Sequence, residues 1–436
     1  MEEKMSLSVN VLWAKKDGEF WLPLPIHMAD AAEAARRLWD DWLSRNLRRK
    51  IATGVTIDGV AVGIEFARQL LIFLAGAHDL GKASPIFQIK PSFPSSTIDE
   101  LLWQSIRDAG FPLQDKYSGK KETHHWLISH EILRRNGFDD SLAVVLGGHH
   151  GKPPSAGELL GLRKAYSKSC GFDSAAWIAA QDALLVHVLA YAELSKDNAV
   201  LLKISRPVQV LLSGLIVLAD WIASDANLFP LLSSESFKAN SAQRANLAFA
   251  ELKLPASWEP DGDWSSLYER RFDIEAKSER PVQTALLNAA QSCLKPGIFV
   301  VEAPMGEGKT EAALAAAEIL AGNTGCRGIY FALPTHATSD AMFARILKWL
   351  GNFDDLGEQY SVRLAHGKAD LNENYNAIPL SSRVMVDDDE GAVVVHEWLS
   401  GRKKGMLSDF ELNRWRGGKH NPQPSYSKQQ SFNLFL

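Results

Sequence analysis

The hydrophobic pattern of this chain changes near residue 280, and that change limits it to a fold of at least two parts. Before the change, apolar residues recur at helical spacing in four long segments: 29–47, 65–80, 175–196 and 207–225. No alternating strand pattern is evident before about residue 290. Beyond it, Gly297–Glu302 and Gly328–Leu333 are short apolar runs typical of buried strands, with a predicted helix at Glu311–Leu320 between them. A strand, a helix and a strand in this order begin a parallel α/β sheet.

The stretch between the two parts has the composition of a linker. Pro255, Pro260 and Gly262 precede a charged segment, Glu269–Arg280. A chain of 436 residues is long enough for two or three domains. We therefore expect an all-α domain over 1–250, a solvated linker over 251–280, part of an α/β domain over 281–407 and a divergent polar tail without a core pattern over 408–436.

Composition excludes several classes of protein. Apolar residues make up 46% of the chain and charged residues 23%, as in soluble globular proteins. The net charge of −5 gives no global attraction to nucleic acid or anionic lipid, so any nucleic-acid contact depends on a local patch. Three separated cysteines form neither a disulfide framework nor a CxxC metal site. Without an apolar run of about 20 residues or a signal peptide, we expect a cytoplasmic protein with no membrane partner.

The strongest chemical signal in the first part is an adjacent His-Asp pair at the end of a predicted apolar helix. His78 offers an imidazole to one metal, and the carboxylate of Asp79 is able to bridge two. A single pair of this kind is more often a capped helix end with a surface histidine. Here it is accompanied by further histidines and a late aspartate: His27, His124, His125, His149, His150 and Asp220.

Asp220 lies within the apolar segment Leu215–Ile222. Burying an ionised carboxylate is costly unless a cation or hydrogen-bond donors compensate it. Besides a metal ion, an arginine partner or a water-filled groove could stabilise the charge of Asp220. Histidine and aspartate without a usable cysteine favour Fe(II), Mn(II), Co(II) or Ni(II) over a structural zinc ion.

In this combination the sequence resembles the HD superfamily of metal-dependent phosphohydrolases. More closely, it resembles the CRISPR-associated nuclease–helicases of type I systems, which the Cascade effector complex recruits. The resemblance extends over residues 20–407 and implies two metals, about 3.5–4 Å apart, that clamp a phosphodiester of single-stranded DNA. The metal ligands it implies are His27, His78, Asp79, His125, His149, His150 and Asp220.

Two further assignments follow from the same resemblance. His125 is preferred to His124 because it stands four residues before Ser129, as in the family's pattern. Asp79 and Lys82 are the expected catalytic residues, and Lys82 would stabilise the charge that develops on the phosphorus oxygens.

The second part contains a phosphate-binding loop, Ala303–Thr310, between a predicted strand and a predicted helix. Gly306 and Gly308 allow backbone N–H groups to approach phosphate. Lys309 would reach the β- and γ-phosphates of ATP, and Thr310 would bind Mg²⁺. The alternative is a chance glycine-rich turn.

The spacing of this loop resembles the AxxGxGKT form of superfamily 2 helicases, whose first domain is RecA-like. Gln283 stands where such helicases place an adenine-reading glutamine. Leu333–Thr338 resembles their segment that contacts the DNA backbone.

The acidic motif that phosphoryl transfer requires is not evident. The run Asp387–Glu390 is expected to be a loop rather than a magnesium-binding strand. Trp398–Leu407 resembles the family segment that precedes that strand. We interpret the chain as a truncated product that binds nucleotide but neither hydrolyses ATP nor translocates.

Three hypotheses about function follow. The first is a metal-dependent nuclease that degrades single-stranded DNA in CRISPR interference, fused to an incomplete helicase domain. The second is an HD phosphohydrolase acting on nucleotides, although small substrates need no attached helicase segment. The third is an inactive remnant that docks on Cascade or DNA.

Overall fold

A computed structural model describes most of the first 353 residues and short stretches after them. The described residues are 9–92, 96–232, 239–252, 254, 262–275, 278–295, 297–326, 328–353, 362–364, 371–377, 384–387, 391–394 and 431–434. The chain divides into two compact units. The first comprises 1–43, 47–253 and 385–392, and the second comprises 44–46, 254–384 and 393–436.

The first unit is predominantly helical. Its helices are α1 Leu24–Arg37, α2 Arg45–Thr53, α3 Ile64–Ala77, α4 Pro85–Gln88, α5 Thr97–Asp108, α6 His125–Arg135, α7 Asp140–Gly147, α8 Ala156–Ala165, α9 Ser167–Cys170, α10 Ala175–Tyr191, α11 Lys196–Ala199, α12 Arg206–Ser224 and α13 Ser241–Leu252. A π-helical segment, Leu38–Trp42, extends α1, and a 3₁₀ turn, Leu80–Lys82, follows α3.

The core of this unit lies between α1, α3 and α12. Helix α3 is buried from Leu70 to Ala77, which explains its almost unbroken apolar sequence. Helix α12 is long and apolar enough to cross a membrane by length and composition alone. It packs against α1, α3 and α7, as a core helix does.

The first unit also contains five short strands. β1 (Trp13–Asp17) and β2 (Phe20–Pro23) form an antiparallel hairpin, and β3 (Val55–Ile57) pairs with β4 (Val60–Ala61) and β5 (Leu202–Ile204). The sequence shows no alternating pattern for these strands before about residue 290. Strands of two to five residues are too short to produce a detectable alternation of polar and apolar residues.

The second unit combines five helices and a small sheet within its described residues. The helices are α14 Leu267–Phe272, α15 Pro281–Ser292, α16 Lys309–Thr324, α17 His336–Leu350 and α18 Glu373–Asn376. The later strands of the chain are β6 Ile329–Ala332, β7 Val362–Arg363, β8 Val384–Asp387, β9 Gly391–Val394 and β10 Ser431–Leu434.

The segment expected to be a solvated linker contains α14, three of whose six residues are buried. Leu267 and Tyr268 pack in the core beside α16, and Arg271 forms a buried ion pair with Glu318 of α16 at 2.9 Å. The charged residues of this segment are typical of a solvated linker. Arg271, however, is buried within the second unit, where Glu318 neutralises its charge.

The predicted strand Gly297–Glu302 forms no ladder with any strand in the described part of the chain. It adopts no regular secondary structure, and Ile298 is 94% exposed. The sheet that is present has the order β6-β10-β7, with β10 antiparallel to both neighbours. The tail expected to lack a core pattern thus supplies a strand, and Ser-Phe-Asn-Leu in β10 does alternate polar and apolar residues.

Candidate metal centre

Helix α1 places His27 in the interior of the first unit. One turn further along α1, buried Asp30 forms an ion pair with Arg244 of α13 at 3.1 Å. Burial raises the pKa of Asp30 to about 6, against the opposing effect of Arg244. The pair joins α13 to the helix that bears His27.

His78 and Asp79 follow directly on α3, where the chain leaves the core. The Nδ1 atom of His78 donates to the carbonyl of Ala75 at 2.6 Å, which directs its Nε2 atom away from the helix. The Ser129 hydroxyl accepts a bond from the Gly81 amide at 2.8 Å and donates to the His78 carbonyl at 2.7 Å. These bonds hold the His-Asp pair against α6.

Gly81 permits this close approach to α6. A Cβ atom at residue 81 would lie 2.0 Å from the carbonyl oxygen of His125 and 2.8 Å from the amide nitrogen of Ser129. No side chain fits there, so glycine is required by the packing of two backbones.

Four of the predicted ligands form a first group: His27, His78, Asp79 and Asp220. The Oδ2 atom of Asp79 lies 2.9 Å from His27 Nε2 and 3.2 Å from His78 Nε2. The Oδ1 atom of Asp220 lies 3.1 Å from His78 Nε2 and 3.8 Å from His27 Nε2. Atoms that bind one ion at about 2.1 Å are spaced about 3.0–3.5 Å from one another, so these distances suit a shared cation.

The other three predicted ligands form a second group: His125, His149 and His150. His125 and His150 approach each other at 3.1 Å between their Nε2 atoms. The Nδ1 atom of His149 donates to the Leu146 carbonyl at 2.6 Å, the arrangement already seen at His78. The remaining carboxylate oxygen of Asp79, Oδ1, lies 3.2 Å from His125 Nε2. Asp79 therefore directs its Oδ2 atom toward the first group and its Oδ1 atom toward the second group.

The buried polar atoms of the two groups fit a metal better than they fit one another. The Nε2 atoms of His27, His78 and His149 and the Oδ2 atom of Asp79 are buried and form no hydrogen bond of acceptable geometry. Buried polar atoms are normally hydrogen-bonded. The Nε2 atoms of His27 and His149, together with the carboxylate oxygens of Asp79, are donor atoms of the kind that a divalent transition ion binds.

Two buried carboxylates, Asp79 and Asp220, dominate the electrostatics of the site. Burial lowers the pKa of His78, but Asp79 and Asp220 outweigh burial and raise that pKa to about 10. Burial raises the pKa of both carboxyl groups, but His78 leads the interactions that hold these pKa values well below their usual range. The two carboxylates are thus ionised and attract positive charge.

Three other imidazoles stay neutral, which is their ligand form. Burial lowers the pKa of His27 to about 3 and that of His149 well below its usual value. Burial and the neighbouring His125 lower the pKa of His150 to about 3.

The structure brings the seven predicted ligands together and places Lys82 beside them, with its Nζ atom 2.9 Å from Asp79 Oδ2. His125 lies in the second group, whereas the ring of His124 stacks on Trp126 at 4.1 Å. The sequence alone indicated no role for Ser129 or for the Asp30–Arg244 pair. The His-x-x-x-Ser spacing of α6 was the available signal for Ser129.

A sequence model of the Cas3 HD domain matches residues 13–229, which include all seven predicted ligands. Residues 13–229 belong to the Cas3 HD domain family. The predicted resemblance to CRISPR-associated nuclease–helicases is thereby confirmed.

Curated relatives are named as Cas3 nuclease/helicases. The chain is 36% identical to a "CRISPR-associated nuclease/helicase Cas3" of Streptococcus thermophilus over 418 residues, covering 91% of this chain and 44% of that protein. It is 30% identical to a "CRISPR-associated endonuclease/helicase Cas3" of Thermus thermophilus, covering 92% and 42%. The chain spans less than half the length of the curated relatives it matches.

Solved Cas3 structures share the fold. The crystal structure of T. fusca Cas3 superposes with a TM-score of 0.63 at 27% identity, covering 84% of this chain and 40% of that chain. A crystal structure described as a CRISPR-associated protein gives the same TM-score at 30% identity, covering 80% and 38%. The prediction of a helical HD-type domain followed by part of a helicase domain is confirmed.

The phosphate loop of this Cas3 relative is shaped by two glycines with positive φ, Gly306 at 83° and Gly308 at 75°. Lys309 begins α16, and its Nζ atom donates to the carbonyls of Ala303 and Pro304. Thr310 and Lys309 line a cavity of about 610 Å³.

Gln283, expected to read adenine, contacts the loop itself. Its side chain accepts a bond from the Arg280 amide at 2.9 Å and donates to the Gly308 carbonyl at 3.4 Å. Gln283 also lines the cavity, so its role toward a nucleotide stays a prediction.

Parts of the helicase-like prediction lie outside the described residues. Trp398–Leu407 and Asp388–Glu390 are among them. Asp387 is the last residue of β8, which pairs with β9.

Proposed function

We propose that this chain is a metal-dependent nuclease that cleaves phosphodiesters of single-stranded DNA in CRISPR interference, in the cytoplasm. The observation that carries the proposal is the position of Asp79, whose two carboxylate oxygens face two separate groups of histidines. A carboxylate shared in this way is what a pair of metal ions needs.

The first group would hold one divalent ion and the second group, with Asp79 shared, would hold another. The ligand types suit Fe(II), Mn(II), Co(II) or Ni(II). When bound, such ions supply Lewis acidity toward phosphate oxygens and lower the pKa of water.

The chain's own residues orient and expose this centre. Asp220 is 17% exposed and His150 is partly exposed, so these two ligands mark the side that a DNA strand approaches. Lys82 is buried at Asp79, where its ammonium group would stabilise charge on a bound phosphate. Ser129 and Ala75 fix the orientation of His78.

The second unit is proposed to bind ATP with Mg²⁺ at the phosphate loop. Backbone amides of Gly306 and Gly308 and the N-terminus of α16 favour phosphate there. Lys309 would exchange its bonds to Ala303 and Pro304 for phosphate oxygens, and Thr310 would contact Mg²⁺. ATP turnover and translocation are not proposed for this chain.

A Cascade-type effector is the proposed partner. The chain resembles, at 26% identity and a TM-score of 0.51, a chain of a structure titled "CRISPR RNA-guided surveillance complex, pre-nicking", covering 83% of this chain. Recruitment to such a complex would bring the metal centre to an unwound DNA strand.

The test is metal-dependent cleavage by the whole chain. Protein stripped of metal is given Mn(II), Co(II) or Ni(II) and incubated with circular single-stranded DNA or with nucleotides. DNA loss that requires metal and is abolished in Asp79→Asn supports the proposal. Hydrolysis of nucleotides alone would replace it with a phosphohydrolase, and no hydrolysis of either substrate would contradict it.

A further inference from the structure

An aromatic stack leads outward from the second group of ligands. The ring of His150 lies 4.3 Å from that of Trp126, and Trp126 lies 4.1 Å from His124 at an interplanar angle of 8°. Trp126 also meets the ligand His125 edge-on at 5.2 Å. A near-parallel histidine–tryptophan pair therefore stands one ring away from a metal ligand.

The stack lies on the accessible side of the site. His27, His78 and His149 are buried, whereas His124, Trp126 and His150 are partly exposed. The turn that follows His150 begins with Gly151 at φ 93° and exposed Lys152. A strand that reaches the metals from solvent on this side passes the aromatic pair and a positive charge.

We propose that a nucleobase next to the scissile phosphate stacks on the His124–Trp126 pair. This inference rests on the proposed nuclease function and specifies the substrate as an unpaired strand that retains its bases. Aromatic stacking holds any base, because every base has a π-face, so the contact favours single strands over duplexes without selecting a sequence.

Alanine substitution of a stacking aromatic costs about 1–3 kcal/mol per base, which corresponds to roughly 5- to 150-fold in affinity. We expect Trp126→Ala to raise the KM for oligothymidylate on the order of tenfold. The change in kcat is expected to be small, because Trp126 is not a ligand. Trp126→Phe, which keeps an aromatic face, should recover most of the loss.

Abasic substrates distinguish two roles of Trp126: stacking on a nucleobase, and holding His150 in position. In the wild type, an abasic residue next to the cleaved bond should raise KM on the order of tenfold. In Trp126→Ala the same abasic residue should have no further effect, since the stacking partner is already lost. Trp42→Ala, at a partly buried tryptophan in the π-helical segment, serves as the matched control.

The proposal is overturned if Trp126→Ala lowers kcat alone, or if the variant stays as sensitive to abasic residues as the wild type. Either result would mean that Trp126 supports His150 and contacts no base. If the wild type cleaves no DNA, the nuclease function fails separately. Binding of intact and abasic oligothymidylate by wild type and Trp126→Ala then decides the stacking proposal, with equal affinities contradicting it.

Discussion

The metal centre and the phosphate loop place their functional groups in opposite ways. The candidate metal centre draws seven side chains from helices and from the turns that follow them, between residues 27 and 220, and nearly all of them are buried. The phosphate loop consists of eight consecutive residues, Ala303–Thr310, shaped by positive φ angles at two glycines. Its lysine is bonded to carbonyls of its own loop.

The contrast shows two routes to a prepared site. In the candidate metal centre, helix packing holds the Nε2 atoms of His27, His78 and His149 in place, although these atoms have no hydrogen-bond partner of acceptable geometry. In the phosphate loop, the conformation is set by the backbone, and Lys309 donates to carbonyls of the loop itself. The first site depends on the whole unit, and the second depends on local sequence.

The largest expected effect tests whether the two sites act separately. Asp79→Asn removes the carboxylate charge shared by both ligand groups and should lower metal-dependent cleavage by more than about 100-fold, because even supporting partners of ligands are worth about 10- to 100-fold. Lys309→Ala should leave nucleotide-free cleavage of single strands unchanged and weaken nucleotide binding. Loss of cleavage in Lys309→Ala would contradict the separation.

The next effect concerns the response of the first unit to acid. Burial lowers the pKa of His130 to about 4. The unfolded chain takes up a proton near its ordinary pKa of about 6.5, and the folded chain does not, so stability falls as pH drops from about 6.5 to 4.

His130→Gln should remove about 2–3 kcal/mol of that loss, measured from urea unfolding between pH 7 and pH 4. His336→Gln, in the second unit, is the control. An unchanged pH dependence in His130→Gln would show that this imidazole is not the source.

Ser129→Ala tests the support of the His-Asp pair. The substitution leaves the Gly81 amide without its partner and removes the bond to the His78 carbonyl. Metal affinity, measured by calorimetry, should fall about 10- to 100-fold. Ser105→Ala removes an exposed bond to the Leu101 carbonyl and should leave metal affinity unchanged. Equal affinities in the two variants would exclude a supporting role for Ser129.

The smallest effect lies beside the phosphate loop. Arg345 pairs with Glu311, and the arginine side chain is half exposed. Exposed ion pairs contribute about 0.2–1 kcal/mol, so Arg345→Ala should lower stability by less than about 1 kcal/mol in urea unfolding. A larger loss of stability would show that the Arg345–Glu311 pair supports more of the second unit than an exposed ion pair does.

Much of the fold could be predicted from local sequence. The apolar helices α3 and α12 were found because their patterns extend over 14 and 19 residues. Gly297–Glu302 was wrongly predicted to be a strand. An apolar run indicates only that a segment favours burial, whereas a strand also requires a neighbouring strand to pair with it. The short β10 was missed for the converse reason, since its pairing partners lie far away in the sequence.

The seven candidate ligands were named from compact motifs that resemble a known family, and their role as ligands stays a prediction. The residues that hydrogen-bond to the segments bearing these side chains could not be predicted in the same way. Ser129 acts on residues 48 and 51 positions away, and Arg244 acts on a residue 214 positions away. Such pairs are decided by tertiary packing, and a single sequence carries no record of the contact.

The absence of a side chain at Gly81 has a consequence for engineering. Since a Cβ atom at residue 81 would collide with the backbone of α6, the turn after Asp79 and the segment that bears His125 pack backbone to backbone. A substitution that shifts either segment is expected to shift the other. Redesign of the candidate metal centre would have to exchange both segments together.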